Sequence, residues 1–167
     1  MKETLEQVYS DHRQGLYTLA LAITRRPERA EDAVQDAFAR LWTAGVRLTG
    51  DPVPYVFAAV RNAAVDQMRR QRGAARRLES VSIYNGLPAD PAARAVSAEQ
   101  HRLVREALDE LPDAEREAVV MKIYAGLTFD QIARALGQPL QTVASRYRRA
   151  LERMGRRLKG NGDAAHE

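Results

Sequence analysis

Apolar residues return every three or four positions along nearly the whole chain, and this spacing is the strongest constraint on its fold. A helix places such residues on one face, whereas a half-buried strand alternates apolar and polar positions. No strand pattern and no internal repeat is present, so the sequence predicts an all-α fold. The first stripe contains six residues at helical spacing: Leu5, Val8, His12, Leu16, Leu19 and Ile23.

Glycine and proline divide the N-terminal pattern into three helices. Pro27 stands where a second helix can begin, because proline suits the first helical position. Residues 45–54 form a break that holds two glycines and two prolines, and Gly73 marks the end of the third helix. The second and third helices carry these apolar stripes: Ala30, Val34, Phe38 and Leu41, then Phe57, Val60, Ala64 and Met68.

The helical pattern fails between residues 74 and 96, which include Asn85-Gly86, Pro88 and Pro91. Such a stretch is typical of a linker. We therefore expect two small helical domains joined by a flexible linker, with a disordered tail. Two small domains have thin cores and often depend on a partner. The expected boundaries are 1–73 and 97–159 for the domains, 74–96 for the linker and 160–167 for the tail.

Four helices are predicted in the C-terminal half. The first starts at a candidate capping box, Ser97 with Gln100, and the second opens at Pro112. A second candidate box, Thr128 with Gln131, starts a short third helix. The second helix is expected to end at Gly126 and the third at Gly137. The last helix is expected to run from about Leu140 to Leu158.

The last two helices have the layout of a helix-turn-helix, whose second helix enters the major groove of DNA. Ala133 is small where two crossing helices approach, and Gly137 can adopt a left-handed turn. Leu140, Val143 and Tyr147 are expected to face inward. The polar residues left to point outward or flank that stripe are Gln141, Thr142, Ser145, Arg146, Arg148 and Arg149.

The charge of the last helix supports DNA binding. The whole chain carries a formal charge of +4. Between residues 139 and 160 there are six arginines and Lys159, against the single acid Glu152. Arginine can bridge phosphate oxygens or read guanine with two hydrogen bonds. The alternative is a solvated helix face, but charge and helix-turn-helix layout coincide, which favours DNA.

The third helix ends in a second basic cluster, preceded by the aromatic residues Tyr55 and Phe57. Aromatic rings beside basic side chains suit single-stranded DNA, because the rings stack on unpaired bases. The alternative is that Phe57 is a core residue and the arginines are a solvated helix end, and periodicity favours the core for Phe57. The cluster consists of Arg61, Arg69, Arg70, Arg72, Arg76 and Arg77.

The second helix begins with acidic residues: Glu28, Glu31, Asp32 and Asp36. Acids at a helix N-terminus are favoured by the helix dipole, and Trp42 would then belong to the core. Equally, the acids could form a protein-binding face for a basic partner surface. The residues alone leave both interpretations open.

The sequence contains no constellation typical of an enzyme. His12, His101 and His166 are scattered, and there is no phosphate-binding glycine loop, GxSxG elbow or HExxH motif. His12 lies on the inner stripe of the first helix and is expected to be a core histidine. The chain has no cysteine, no apolar run long enough to cross a membrane and no signal-peptide core in residues 1–7. We expect a cytoplasmic, non-enzymatic protein without metal, cofactor or membrane insertion.

The two halves together resemble a known family. Residues 30–42 (AEDAVQDAFARLW) are similar to the segment by which RNA polymerase sigma factors bind the polymerase clamp helices. Residues 60–72 (VRNAAVDQMRRQR) resemble the segment that reads and helps to melt the minus-ten promoter element. Residues 111–154 resemble the reader of the minus-thirty-five element. Their order, the short linker and the length are typical of the extracytoplasmic-function group of the sigma-70 family, which keeps these two domains.

The resemblance implies roles for individual residues. The residues at or near the polymerase interface would be Asp32, Gln35, Asp36 and Phe38. The residues at the minus-ten element would be Tyr55, Arg61, Asn62, Arg69 and Arg70. Asn62 and the loop 45–51 would help to capture a flipped base. The residues at the minus-thirty-five element would be Thr142, Ser145, Arg146, Arg148 and Arg149.

The resemblance also implies the partners: core RNA polymerase and promoter DNA. Sigma factors of this group are often held by an anti-sigma factor. The main alternative is a free-standing helix-turn-helix regulator, in which residues 1–73 would sense a ligand or dimerise. Such proteins usually bind as symmetric dimers. The acidic second helix followed by the basic third helix argues against it.

Overall fold

The computed structural model describes residues 2–72 and 98–164, and within them it is helical without a β-strand. The all-α prediction is confirmed. The expected linker, 74–96, and the candidate cap Ser97 lie outside the described residues. The seven α-helices are α1 (Lys2–Thr24), α2 (Pro27–Ala44), α3 (Val53–Arg72), α4 (Ala98–Asp109), α5 (Asp113–Val119), α6 (Phe129–Leu136) and α7 (Leu140–Ala164).

Helices α1, α2 and α3 form a three-helix N-terminal half around one apolar core. Leu16, Leu19, Phe57 and Val60 are fully buried in it, as the predicted stripes require. Pro27 occupies the first position of α2, where its missing N–H costs no hydrogen bond. At the other end of α2, Gly45 takes a left-handed conformation with φ +57°, which ends the helix.

Helices α4 to α7 form the C-terminal half. The predicted capping box at the start of α6 is confirmed: Thr128 Oγ1 accepts from the Gln131 N–H, and Gln131 Oε1 accepts from the Thr128 N–H. Gly137 ends α6 with φ +60°, as the helix-turn-helix layout requires. Val143 and Ala150 of α7 are fully buried and anchor that helix on the rest of the half.

A π-helical turn, Val120–Tyr124, continues α5 and was not predicted. It closes with a backbone hydrogen bond of 3.0 Å from the Ala125 N–H to the Val120 carbonyl. The wider turn shifts the helical phase, so that Ile123, expected on the apolar stripe, is 54% exposed. The prediction for Val120, which is fully buried, was right.

Two predictions for α7 were also wrong. Leu140 was expected to face inward but is 46% exposed, because it occupies the first turn, before the helix meets its neighbours. The last helix was expected to end near Leu158, but α7 continues to Ala164; the rest of the expected tail, 165–167, lies outside the described residues. Asn161, within that extension, accepts from Arg157 Nη1 at 2.7 Å, a contact one helical turn apart that favours the helix.

The two halves pack against each other. Helix α1 contacts α5 and the π-helical turn, and α3 contacts α6. Gly15, a buried residue in the interior of α1, receives Ala125 there. Glycine inside a helix costs about 1 kcal/mol relative to alanine, so its presence needs a reason. The close approach of Ala125 supplies one, because a larger residue would collide with it.

Candidate functional site

Helix α2 presents acidic and amide side chains on an exposed face. Asp32 and Gln35 are exposed, and Asp36 pairs with Arg40 one turn away at 2.8 Å. These residues line an open cavity of about 430 Å³ between α2 and α3. The structure therefore brings together three of the four residues that the resemblance places at the polymerase interface.

An apolar groove continues from this face toward α1. Phe38, the fourth of those residues, packs edge-on against Tyr9 with ring centroids 5.1 Å apart. The groove has a volume of about 390 Å³, and Leu5, Val34 and Trp42 also line it. Trp42 is 44% exposed, so it is a groove residue and not a core residue. Tyr9 was missed in the sequence, although a tyrosine one position after the apolar Val8 is at the edge of the α1 stripe.

A row of three exposed side chains runs along α3: Tyr55, Asn62 and Arg69. They are seven residues apart, close to two helical turns of about 3.6 residues each, so they share one face. Tyr55 is 44% exposed. The row places an aromatic ring, an amide and a guanidinium in line, which are the groups that stack on a base, hydrogen-bond its edge and hold a phosphate.

Two other residues expected at minus-ten DNA lie elsewhere. Arg61 faces the C-terminal half, where its Nε lies 2.6 Å from Glu117 Oε2. Arg70 lines the cavity between α2 and α3 that Asp32 and Asp36 also line. The structure thus separates both arginines from the row of Tyr55, Asn62 and Arg69.

Phe57 belongs to the core, and His12 packs against it. Phe57 is fully buried, which bears out the core interpretation. His12 is half-buried and lies edge-on to the Phe57 ring, with centroids 5.7 Å apart. The ring contact accounts for a histidine on the apolar stripe of α1.

Helix α7 rests on an aromatic contact. Tyr147 meets Phe129 of α6 with ring centroids 5.3 Å apart, and Lys122 Nζ lies 4.8 Å from the Phe129 centroid. These contacts hold α7 across α6, the arrangement of a helix-turn-helix. The five residues expected at minus-thirty-five DNA all lie in the first ten residues of α7. Thr142, Ser145 and Arg146 are half-buried, and Arg148 and Arg149 are exposed.

Glu115 of α5 orients two arginines of α7 and was missed in the sequence. Its carboxylate is 9% exposed and lies 3.0 Å from Arg153 Nε and 3.8 Å from Arg149 Nε. A buried carboxylate needs such partners, because an isolated charge is costly to bury. The signal was its position four residues before Val119, which puts an acid in the register of the apolar stripe.

The described residues offer no cluster of three or more histidine, aspartate or glutamate side chains able to hold a metal ion. None of the helices in that part of the chain is long and apolar enough to cross a membrane.

Each half of the chain matches a known protein-family model. Residues 8–74 match the family model of sigma-70 region 2, and residues 101–154 match that of sigma-70 region 4. The chain belongs to the sigma-70 family of RNA polymerase sigma factors. This sigma factor is similar to the ECF RNA polymerase sigma factor SigK of Mycolicibacterium vanbaalenii, with 29% identity over 154 residues, covering 87% of this chain and 77% of the relative. SigK of Mycobacterium tuberculosis strain H37Ra is 26% identical over 150 residues, which cover 87% and 80% of the two chains.

Two solved structures share the fold of this sigma factor. RpoE from Bartonella quintana, in complex with the anti-sigma factor NepR, superposes with a TM-score of 0.74 and 22% identity, covering 95% of this chain and 98% of the other. CnrH, in complex with the cytosolic domain of CnrY, gives a TM-score of 0.67 and 23% identity, covering 96% and 90%.

The family defines the activity. As a sigma factor of the extracytoplasmic-function group, the protein binds core RNA polymerase and directs promoter recognition and transcription initiation. Its helix-turn-helix half and its acidic-then-basic N-terminal half both belong to that one function.

Proposed function

We propose that this sigma factor divides initiation among three surfaces. The α2 face, made of Asp32, Gln35, Asp36 and Phe38, binds the polymerase clamp. The α3 row, made of Tyr55, Asn62 and Arg69, binds the opened minus-ten element. Arg61 and Arg70 contact the same element once polymerase and promoter DNA are bound. The α7 face reads the minus-thirty-five element through Thr142, Ser145, Arg146, Arg148 and Arg149.

The α3 row is the observation that most directly supports this proposed function. A face with one stacking ring, one amide and one guanidinium at two-turn spacing suits unpaired bases better than a duplex. Those three side chains are exposed while the opposite side of the same helix is core, so the row is open to a ligand. Its neighbour α2 carries acids, which suit a basic protein surface and repel DNA.

The proposed mechanism is binding without catalysis. Two DNA-binding surfaces of modest affinity are joined in one protein. When one of them is bound, the effective concentration of the other at the promoter rises, and the overall affinity increases. Opening a base out of the stack costs a few kcal/mol, and a specific pocket recovers that cost when the base is the correct one. Promoter choice and promoter melting would then be coupled. We propose that the protein acts in the cytoplasm, where the polymerase acts.

We also propose that an anti-sigma factor holds this protein. RpoE and CnrH, which share its fold, were solved with NepR and with the cytosolic domain of CnrY. The apolar groove of Tyr9, Phe38 and Trp42 supports the proposal, since exposed aromatic grooves are typical of protein-binding sites.

Core polymerase binding tests the α2 face. We expect Asp36→Arg to reduce the affinity for core polymerase at least about tenfold, because a basic partner would meet a like charge. The matched control is Glu99→Arg, which reverses another exposed acid that pairs with an arginine on its own helix. The proposal is wrong if both variants bind core polymerase as the wild type does, or if both lose binding equally.

A forked DNA tests the α3 row. We expect Asn62→Ala to weaken binding of the polymerase complex to a fork with an unpaired minus-ten strand, and to leave binding to upstream duplex DNA unchanged. Equal losses on both DNAs, or no loss on the fork, would argue against base capture by this row.

A further inference from the structure

The N-terminal end of α7 presents an apolar side chain to solvent. Leu140, the first residue of the helix, is 46% exposed, and its neighbours 137–139 and Gln141 are exposed as well. The first turn forms here, where the Val143 N–H donates to the Pro139 carbonyl at 3.2 Å. Side chains in a helix lean toward its N-terminus, so the side chain of Leu140 projects from the tip of α7.

Ala144 extends this tip into an apolar edge, made of Leu140 and Ala144. Ala144 is half-buried and lies four residues after Leu140, which puts both on the same side of α7. The core side of the helix is centred near Val143 and Ala150, which are fully buried. At about 100° per residue, the apolar edge lies roughly 60–100° from Val143, and the exposed Arg148 follows at roughly 140°. The apolar edge therefore borders the face that is proposed to contact DNA.

One group of the DNA major groove matches an apolar edge beside basic side chains. The groups that base edges display there are hydrogen-bond donors and acceptors, except for the C5-methyl group of thymine. In a helix-turn-helix, the N-terminal residues of the second helix contact base edges. The leucine side chain has no hydrogen-bonding atom, so at this place the thymine methyl group is the partner that it can bury.

We propose that Leu140, supported by Ala144, selects thymine at one position of the minus-thirty-five element through the C5-methyl group. The inference rests on the proposed role of α7 as the reader of that element. It adds a base preference that Arg148 and the other polar residues of the face do not supply, because none of them recognises a methyl group by hydrogen bonding. Burying one such group corresponds to about fourfold in affinity.

Leu151 provides a matched control within the same helix. It is 41% exposed and lies on the same side of α7 as Leu140, eleven residues further along. At about 1.5 Å per residue, that places it roughly 16 Å from the tip. Leu151→Ala therefore removes the same side chain at similar exposure, outside the part of the helix that contacts base edges.

Removing the methyl group from the DNA tests the inference directly. Deoxyuridine pairs as thymidine does and lacks the C5-methyl group. Duplexes of a promoter at which the wild-type enzyme starts transcription should carry a single deoxyuridine at each thymidine of the upstream element in turn, on either strand. Core polymerase loaded with the wild type, with Leu140→Ala or with Leu151→Ala is then titrated onto them, and fluorescence anisotropy gives the affinities.

We expect one deoxyuridine position at which the wild-type enzyme loses about fourfold in affinity. Leu140→Ala should lose at least as much on unmodified DNA and show no further loss at that position, whereas Leu151→Ala should respond as the wild type does. A folding defect cannot produce this pattern, because it would act at every position alike. The inference is overturned if no position distinguishes Leu140→Ala from the wild type, or if Leu151→Ala loses the same response.

A scrambled upstream element separates this inference from the proposed function. If the wild-type enzyme prefers the promoter's own element but no thymine response depends on Leu140, the inference fails and the reading of DNA by α7 stands. If the wild-type enzyme binds both elements equally, the proposed reading fails and the inference falls with it. A weaker affinity of Leu140→Ala for core polymerase alone, with an unchanged thymine response, would instead assign Leu140 to a protein contact and refute the inference.

Discussion

Arg61 Nε lies 2.6 Å from Glu117 Oε2, and this ion pair joins α3 of the N-terminal half to α5 of the C-terminal half. The Glu117 carboxylate is 9% exposed and the Arg61 side chain 32%. An arginine that is expected to contact DNA therefore pairs with an acidic residue of its own chain. Neutralising that acid should change DNA binding without altering any residue proposed to touch DNA.

Glu117→Gln should strengthen the binding of the polymerase-free protein to promoter DNA. A partly exposed ion pair contributes about 1 kcal/mol, so we expect roughly a fivefold gain, measured by fluorescence anisotropy at fixed salt. Glu110→Gln is the control, because Glu110 pairs with Arg157 at 2.9 Å within the C-terminal half. Equal affinities for the two variants would contradict competition for Arg61.

Asp51 should titrate below its ordinary range in the folded protein. The hydrogen bond from Gln131, with that from the Val53 N–H and the charges of Arg134 and His12, lowers the pKa of Asp51 against a smaller opposing effect of burial. A folded-state pKa below the unfolded one adds stability above the unfolded pKa, and this stability is lost as pH falls through the folded pKa. The packing between the two halves should therefore weaken in acid, below about pH 4.

Carbon-detected NMR titration of the Asp51 carboxyl checks this. We expect Gln131→Ala to raise the pKa of Asp51 toward its ordinary value. An Asp51 pKa that is ordinary in the wild type would show that Asp51 does not hold Gln131 in solution.

Arg148→Ala should weaken upstream duplex binding and reduce its dependence on salt. Arg148 is exposed in the first turns of α7, and one lost phosphate contact lowers the slope of log affinity against log salt by about 0.9. Arg102→Ala, which removes an exposed arginine held by Glu99 and Glu106 in α4, is the control. A salt slope unchanged by Arg148→Ala would mean that Arg148 contacts no phosphate.

Phe57→Ala should lower the free energy of unfolding by about 3–5 kcal/mol, the usual cost of emptying a buried aromatic site. Phe57 is fully buried and contacts the His12 ring. Urea unfolding followed by circular dichroism measures the loss. Tyr55→Ala, two residues away and exposed, should cost far less, and similar losses for the two would contradict the core assignment.

Local signals predicted most of the fold. Pro27, Gly137 and the Thr128–Gln131 box act within one or two turns of the chain, so their effects can be read from the neighbouring residues. The π-helical turn at Val120–Tyr124 was missed because helical spacing assumes an unbroken register. Leu140 was misassigned because periodicity does not tell where a helix meets its neighbour.

The contacts between the halves could not be predicted from spacing. Arg61 and Arg69 are both arginines of α3, yet the first faces Glu117 and the second faces solvent. Residues 56 positions apart meet through packing that no short pattern encodes. Gly15 was the one available clue, since a glycine inside a strongly periodic helix indicates a close neighbour.

Transcription in vitro with purified core polymerase tests the central claim most directly. The 5′ ends of transcripts from a genomic DNA template should be mapped with and without this protein. We predict that adding the protein produces starts at a distinct set of promoters that share paired upstream elements, and that Asp36→Arg abolishes them. If core polymerase starts at the same sites with and without the protein, the account is contradicted.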